Sequence, residues 1–348
     1  MTGRERWLAV LRREKPDRIP MDMWITEEAH QKLKKHLGIF DNEKLNERLH
    51  IDRPAFANGV YIGPQHPNGD GDLYGIKHEN ISYDGGSYNE AVTAPLARFN
   101  SVAEIEKEYV WPHPDWWKYD HLPAHAEKYR DRPIQGGGSE PFLLYKLLRG
   151  DIQAFIDLVE NPEIVHYCLD KLFGVAYENS RRIFEAIPGQ VTHCYVAEDL
   201  GSQETLMMSK KHISEFLLPR MKRMIDLAHS AGVYAFHHND GACREIIPDM
   251  IEIGIDVLNP IQWRCNGMAR EGLKRDFGKK LIFHGGIDNQ YTLPFGTVEE
   301  VKQEVADNIR ILGAGGGYIL APCHNIQAVS PPENIVAMFD TGYELGKT

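Results

Sequence analysis

No stretch of this 348-residue sequence approaches the roughly 20 consecutive apolar residues that a membrane helix requires, so a membrane-spanning protein is not expected. The opening Met1-Thr2-Gly3-Arg4-Glu5-Arg6-Trp7 is charged and lacks the apolar core of a signal peptide, which points to a cytoplasmic protein. A basic excess is also missing: the formal net charge of -11 argues against a surface that holds nucleic acid by bulk electrostatics. The five cysteines, Cys168, Cys194, Cys243, Cys265 and Cys323, are odd in number and form no CxxC pair. That is a poor disulfide framework, so reduced thiols are expected, one of them available as a metal ligand. No GxGxxG follows an early strand, and neither an internal repeat nor a linker is evident.

What the sequence does contain is alternation. Short apolar runs at Pro133-Ile134-Gln135, Val191 to Ala197, Val233 to His237, Ile255 to Leu258, Leu281 to His284 and Tyr318 to Leu320 read as buried strands. Helical stretches such as Ser209 to Ser230 and Thr297 to Leu312 separate them. Such a long series predicts a parallel sheet closed on itself, an α/β (β/α)8 TIM barrel spanning residues 1–348 as one domain, with a doubly wound open sheet as the alternative. Upstream, Thr2 to Arg13 has a helical rhythm and Ile19 to Trp24 reads as the first strand. Residues 58–87, rich in Gly, Pro, Asn and Tyr, look like an irregular excursion with short hairpins near the barrel mouth. Gly313 to Gly317 reads as a helix stop before a strand, whereas Gly136-Gly137-Gly138-Ser139 is either a close backbone approach to a ligand or a tight turn.

Polar residues cluster just after several of these runs, and they converge only if the strands close side by side. In extended chain His238 and Asp240 face one side while His237 and Asn239 face the other. With Cys323, at the end of another strand, they offer nitrogen, oxygen and sulfur donors that zinc accepts, with a fourth position open for substrate or water. The alternative is that His238 and Asp240 hydrogen-bond each other and Cys323 is a small buried apolar residue. Glu198 and Asp199 end a further strand. Either one is a candidate fourth ligand or a partner for His238, while Asp199 is equally suited to capping a helix. His284 ends a strand as well, suited to hydrogen-bonding substrate, ligating metal or packing beside Gly285. Asn259 and Gln262 offer amides to a bound ligand, His324 is ambiguous, and Cys243 reads as a structural thiol.

Three segments carry a family resemblance. They are His238-Asn239-Asp240-Gly241 continuing through Ile246-Ile247-Pro248-Asp249-Met250 to Asn259-Pro260-Ile261-Gln262; Glu198-Asp199-Leu200-Gly201-Ser202-Gln203; and Gly316-Gly317-Tyr318-Ile319-Leu320-Ala321-Pro322-Cys323-His324-Asn325, with Pro331-Pro332-Glu333-Asn334 after it. Together with Arg4-Glu5-Arg6 and Pro16-Asp17-Arg18-Ile19-Pro20, they resemble the uroporphyrinogen decarboxylase (URO-D) superfamily, which implies the TIM barrel. The decarboxylases resemble one another in an arginine-bearing loop after the first strand. Here that stretch, Met21-Asp22-Met23-Trp24-Ile25-Thr26-Glu27-Glu28, has no arginine to grip carboxylates, so decarboxylation is the weaker expectation.

The likeness to the other branch implies a zinc- and cobalamin-dependent methyltransferase. Its His-x-Cys plus later Cys ligand pattern maps onto His238, Asp240 and Cys323, with aspartate replacing one thiolate. A harder metal site suits release of an ether oxygen. The expectation is O-demethylation: a methyl group moves from a small donor, a methoxylated aromatic, to the Co(I) of a separate corrinoid protein. Glu198, Asp199 and His284 would serve catalysis, and Asn259 and Gln262 would contact substrate or the corrinoid (cobalamin). No Asp-x-His-x-x-Gly motif is present, so the corrinoid is expected on a partner protein; a homodimer is left open. Methyl transfer from methylcobalamin to a thiol or tetrahydrofolate, and a non-catalytic substrate- or corrinoid-binding role, stand as alternatives.

Overall fold

The computed structural model describes residues 1–83 and 86–348. Its centre is a parallel sheet of seven strands in sequence order: β1 (Ala55–Ala57), β2 (Ile134–Ser139), β3 (His193–Ala197), β4 (Tyr234–His238), β5 (Val257–Asn259), β6 (Ile282–Ile287) and β7 (Tyr318–Pro322). Residues 20–22 close the gap between its edges. On one side Met21 bridges Leu320 in parallel, with Leu320 N donating to Pro20 O and Asp22 N donating to Leu320 O, both at 2.9 Å. On the other, Asp52 N donates to Met21 O at 2.7 Å. Eight parallel segments thus form the (β/α)8 barrel that the alternation predicts.

Side chains alternate across the barrel wall. Ala235, Leu258, Phe283 and Leu320 point outward into the core shared with the helices. Phe236, Val257, Ile282 and Ile319 point inward and pack on Trp7, Val10 and Leu11. Those last three belong to helix Gly3–Leu11, opened by a Thr2/Glu5 capping box, so the helix plugs the end where the strands begin. The opposite end is left for the strand-end polar residues.

Strand existence was legible, and bounds differ by a few residues. One strand, Ala55–Ala57, gave no signal because three residues between Pro54 and Asn58 are too short a run to show a period. The Gly136 to Gly138 stretch is neither turn nor ligand loop. It lies within β2, where the register with β3 shifts between Gln135 and Gly138, and a Cβ on Gly138 would overlap the Tyr195 carbonyl. The excursion forms a hairpin of His78–Tyr83 with Gly86–Ala91, while Val60–Tyr61 pairs with Trp117–Lys118; residues 84 and 85 lie outside the described residues. Among the described residues no helix is long and apolar enough to cross a membrane.

A buried carboxylate ties the plug to the closing segment. Asp52 accepts from Arg6 Nη1 at 2.6 Å and from Arg18 Nη1 at 2.8 Å, and its Oδ2 also accepts from Met21 N at 3.1 Å. Arg6 also pairs with Asp17, but Asp52 is the one carboxylate paired with the buried Arg18 guanidinium among the described residues. Asp52→Ala is therefore expected to lower stability by about 3–5 kcal/mol, read from urea unfolding. A loss below about 1 kcal/mol would show that the cluster does not hold the barrel closed.

Candidate metal centre

The register of the sheet aligns the candidate residues. Ala197 pairs with His238 across β3 and β4, and His238 pairs with Asn259 across β4 and β5. The loops that follow β3 and β4 touch: a Cβ on Gly241, where φ is +83°, would overlap the Gly201 backbone, so glycine permits the approach. Asp199 and Asp240 are thereby brought to the same histidine. His238 Nε2 lies 3.6 Å from Asp199 Oδ1 and 3.9 Å from Asp240 Oδ1. Asp199 Oδ1 accepts from Asp240 N at 3.1 Å, and Gln262 Nε2 donates to Asp240 Oδ1 at 2.9 Å. One ligand atom from each of Asp199, His238 and Asp240 falls within 4.8 Å of the others, a spacing that fits a single cation. His324 Nε2 stands 3.8 Å from Asp240 Oδ2.

Behind His238 runs a buried chain of hydrogen bonds. His238 Nδ1 is 2.6 Å from Asn259 Oδ1, Asn259 Nδ2 is 2.7 Å from His284 Nδ1, and His284 Nε2 is 3.1 Å from Asp22 Oδ2. A carboxylate only accepts, so His284 carries its proton on Nε2 and, as a neutral ring, accepts at Nδ1 from the Asn259 amide. The amide oxygen then accepts from His238 Nδ1–H, and Nε2 is the ring atom that faces the two aspartates. Asp22 is held in turn by Trp24 Nε1 at 2.9 Å and Met23 N at 2.8 Å. Burial pushes the Asp22 carboxyl up, but the His284 hydrogen bond, with help from Arg53 and the Met23 N–H, leaves it below the ordinary range. The rings of Trp24 and Tyr195 stack on His238 at centroid distances of 5.5 and 5.7 Å.

The mouth itself is acidic. Burial, reinforced by Asp199, raises the Asp240 carboxyl, and His238 offsets part of that rise. Glu140, at the end of β2, is pushed up to about 7, first by burial and then by Asp199. Two carboxylates beside one imidazole, with Glu140 within electrostatic reach, are what a bound cation would relieve, so the donor set fits a divalent metal.

Other residues singled out from sequence take different places. Glu198 is fully buried and accepts from Phe142 N at 2.9 Å, capping helix Pro141–Arg149; burial raises its carboxyl well above the ordinary value. Asp199 caps no helix, because Ser209 caps the next one. His284 is wholly buried between Asn259 and Asp22, away from the mouth. Cys323 is outside the group of three. Its thiol donates to Ile261 O at 3.1 Å, and burial raises it well above the ordinary thiol range. His237 points away, its Nδ1 2.7 Å from Val196 O. Sequence reasoning missed Glu140, although it ends a strand just before Pro141, the same position that drew attention to Glu198. It also missed Asp22, whose partner His284 is 262 residues distant.

Comparison with known proteins adds a lineage. The family model for uroporphyrinogen decarboxylase (URO-D) matches residues 124–345. A uroporphyrinogen decarboxylase of Neisseria meningitidis serogroup B is 25% identical over 221 residues, 62% of this chain and 55% of that protein. One from Pseudomonas syringae pv. syringae is 26% identical over 219 residues, 61% and 54% of the two chains. The chain thus matches about half the length of these curated relatives. A methyltransferase from Methanosarcina mazei shares the fold with a TM-score of 0.68 at 19% identity, over 99% of both chains.

The raised Glu140 carboxyl generates a pH dependence. Its proton is held more tightly in the folded chain than in the unfolded one, so its contribution to stability is greatest at low pH. That contribution declines as pH rises from the ordinary carboxylate range through about 7. In metal-free protein, Glu140→Gln is expected to reduce the fall in urea midpoint between pH 5 and pH 8. An unchanged fall would place Glu140 in an ordinary environment.

Proposed function

This chain belongs to the uroporphyrinogen decarboxylase (URO-D) family, and from that premise we propose that it is a zinc-dependent methyltransferase acting as one barrel domain over residues 1–348. It moves a methyl group from a small methylated donor, a methoxylated aromatic, to the Co(I) of a separate corrinoid protein. The observation that carries this reading is the hydrogen-bond chain that occupies His238 Nδ1 and turns Nε2 toward Asp199 and Asp240 at the open end of the barrel. The fold shared with the Methanosarcina mazei methyltransferase agrees with it. Decarboxylation of a polycarboxylate is disfavoured, because the stretch after the first barrel segment has no arginine and the mouth is lined by Asp199, Asp240 and Glu140.

Asp199, His238 and Asp240 would hold the zinc, in an oxygen-rich set that keeps the ion hard. When bound, it supplies positive charge that stabilises the departing oxygen by several kcal/mol. The donor's carbon–oxygen bond would break with its electron pair left on oxygen, and the methyl group would pass to the partner's corrinoid, whose Co(I) would supply the electron pair for the new bond. Glu140, whose carboxyl is raised by burial beside Asp199, would be the group that gives a proton to that oxygen. Trp24 and Tyr195 both stack on the His238 ring, which would keep the donor set in place. Asn289, Gln290 and Gln327 border the wide opening around Asp240 and His324, where a corrinoid protein would dock.

The test joins metal content to turnover. The purified protein is expected to bind about one zinc per chain, to lose it on His238→Ala and to keep it on Cys323→Ser. With Co(I) corrinoid and a panel of aryl methyl ethers it is expected to produce the methylcobalamin spectrum. Protein without zinc, or with zinc but no methylcobalamin from any donor, would overturn the reading.

A further inference from the structure

Between the Trp7 plug and the mouth lies a cavity of about 260 Å³, walled by Trp24, Phe56, Tyr195 and Phe236. That is below the roughly 300–1,000 Å³ of pockets for drug-sized ligands, and it suits a single ring. Its polar groups are few, and the one carboxylate among them, Asp22, has both oxygens engaged by Met23, Trp24 and His284. His193 stacks on Trp7 and is pushed down to about 3 by burial, so it is neutral; Gln135 and Asn325 are uncharged. Arg53 is the one cation lining it among the described residues.

Arg53 differs from the other inward-lying arginines. Arg6 and Arg18 are paired with Asp52, Arg149 with Asp157 and Arg220 with Asp170. The half-buried Arg53 guanidinium makes no hydrogen bond or ion pair among the described residues, although its backbone is pinned by Arg132 Nε at 2.9 Å from its carbonyl. Asp22 lies within its electrostatic reach, but both Asp22 oxygens are already engaged by Met23, Trp24 and His284. A guanidinium presents a planar fork that matches a carboxylate, and an aromatic wall takes a flat ring. Trp24 and Tyr195, which wall the cavity, also stack on His238, so the cavity and the carboxylate cluster share a boundary.

We infer that Arg53 anchors the carboxylate of a flat, single-ring acid in the barrel lumen, with the opposite edge of the ring turned toward His238. This rests on the methyl-transfer reading only for what happens at that edge: the substrate is an aromatic acid carrying a methyl ether, and Arg53 selects the acid over neutral ethers.

Binding to metal-free protein, measured by calorimetry without corrinoid, tests it. The probes are 4-methoxybenzoate and its uncharged analogue 4-methoxybenzamide. The wild-type chain is expected to bind the acid at least about tenfold more tightly than the amide, the range of a charge-assisted bidentate contact. Arg53→Gln is expected to abolish that preference, and Arg53→Lys to retain part of it. No binding of the acid, equal affinity for acid and amide, or a preference that survives in Arg53→Gln would overturn the inference; the wild-type comparison decides even if the variants fail to fold. Acid binding that depends on Arg53 without methyl transfer would defeat the proposed function alone. Methyl transfer that runs equally well from neutral ethers would defeat the Arg53 assignment alone.

Discussion

The proton order along Asp22, His284, Asn259 and His238 governs the centre of this barrel. His284 and Asn259 are 0% and 1% exposed, so neither has water to fall back on, and each of their hydrogen bonds must be made by a neighbour in the chain. An acceptor-only carboxylate at one end sets the direction, and an amide, which donates at one atom and accepts at the other, passes it on. The far end is the Nε2 atom of an imidazole, aimed at the mouth. Removing any member would strand a buried polar group, a cost of about 1–3 kcal/mol in addition to the lost orientation.

From that constraint follows the division of the lumen. At the mouth, acidic side chains from the ends of β2, β3 and β4 surround His238 and create demand for a cation. Deeper in, aromatic rings line the lumen, and its charged groups are Arg53 and the Asp22 carboxylate that the hydrogen-bond chain already engages. The Asp52 cluster holds residues 20–22 against both edges of the sheet, and the same segment delivers Asp22 to His284 and Trp24 to His238. Barrel closure and the ordering of the site are therefore one event. A chain that failed to seat its N-terminal helix would lose the acceptor that sets the proton order.

Much of this was legible from the sequence because it depends on local pattern. Continuous apolar runs marked six of the seven sheet strands. Strand-end position marked His238, Asp240 and Asp199, and the two-residue alternation oriented His237 and His238 correctly. What stayed hidden depends on which strands become neighbours. Asn259 looked like a ligand-binding amide, but its environment, a histidine on each side, is made by barrel closure. Glu198 and Glu140 are indistinguishable by position, and only packing decides that one caps a helix while the other faces the mouth. Arg53 precedes a three-residue strand too short to recognise, so nothing in its surroundings marked it as facing the lumen.

The most direct test of the central claim is nitrogen NMR of the imidazoles in metal-free protein at a pH where they are neutral. The proton order described here requires His238 to carry its proton on Nδ1 and His284 on Nε2. A spectrum with the His238 proton on Nε2 would turn its lone pair away from Asp199 and Asp240, and the account of the centre would be wrong.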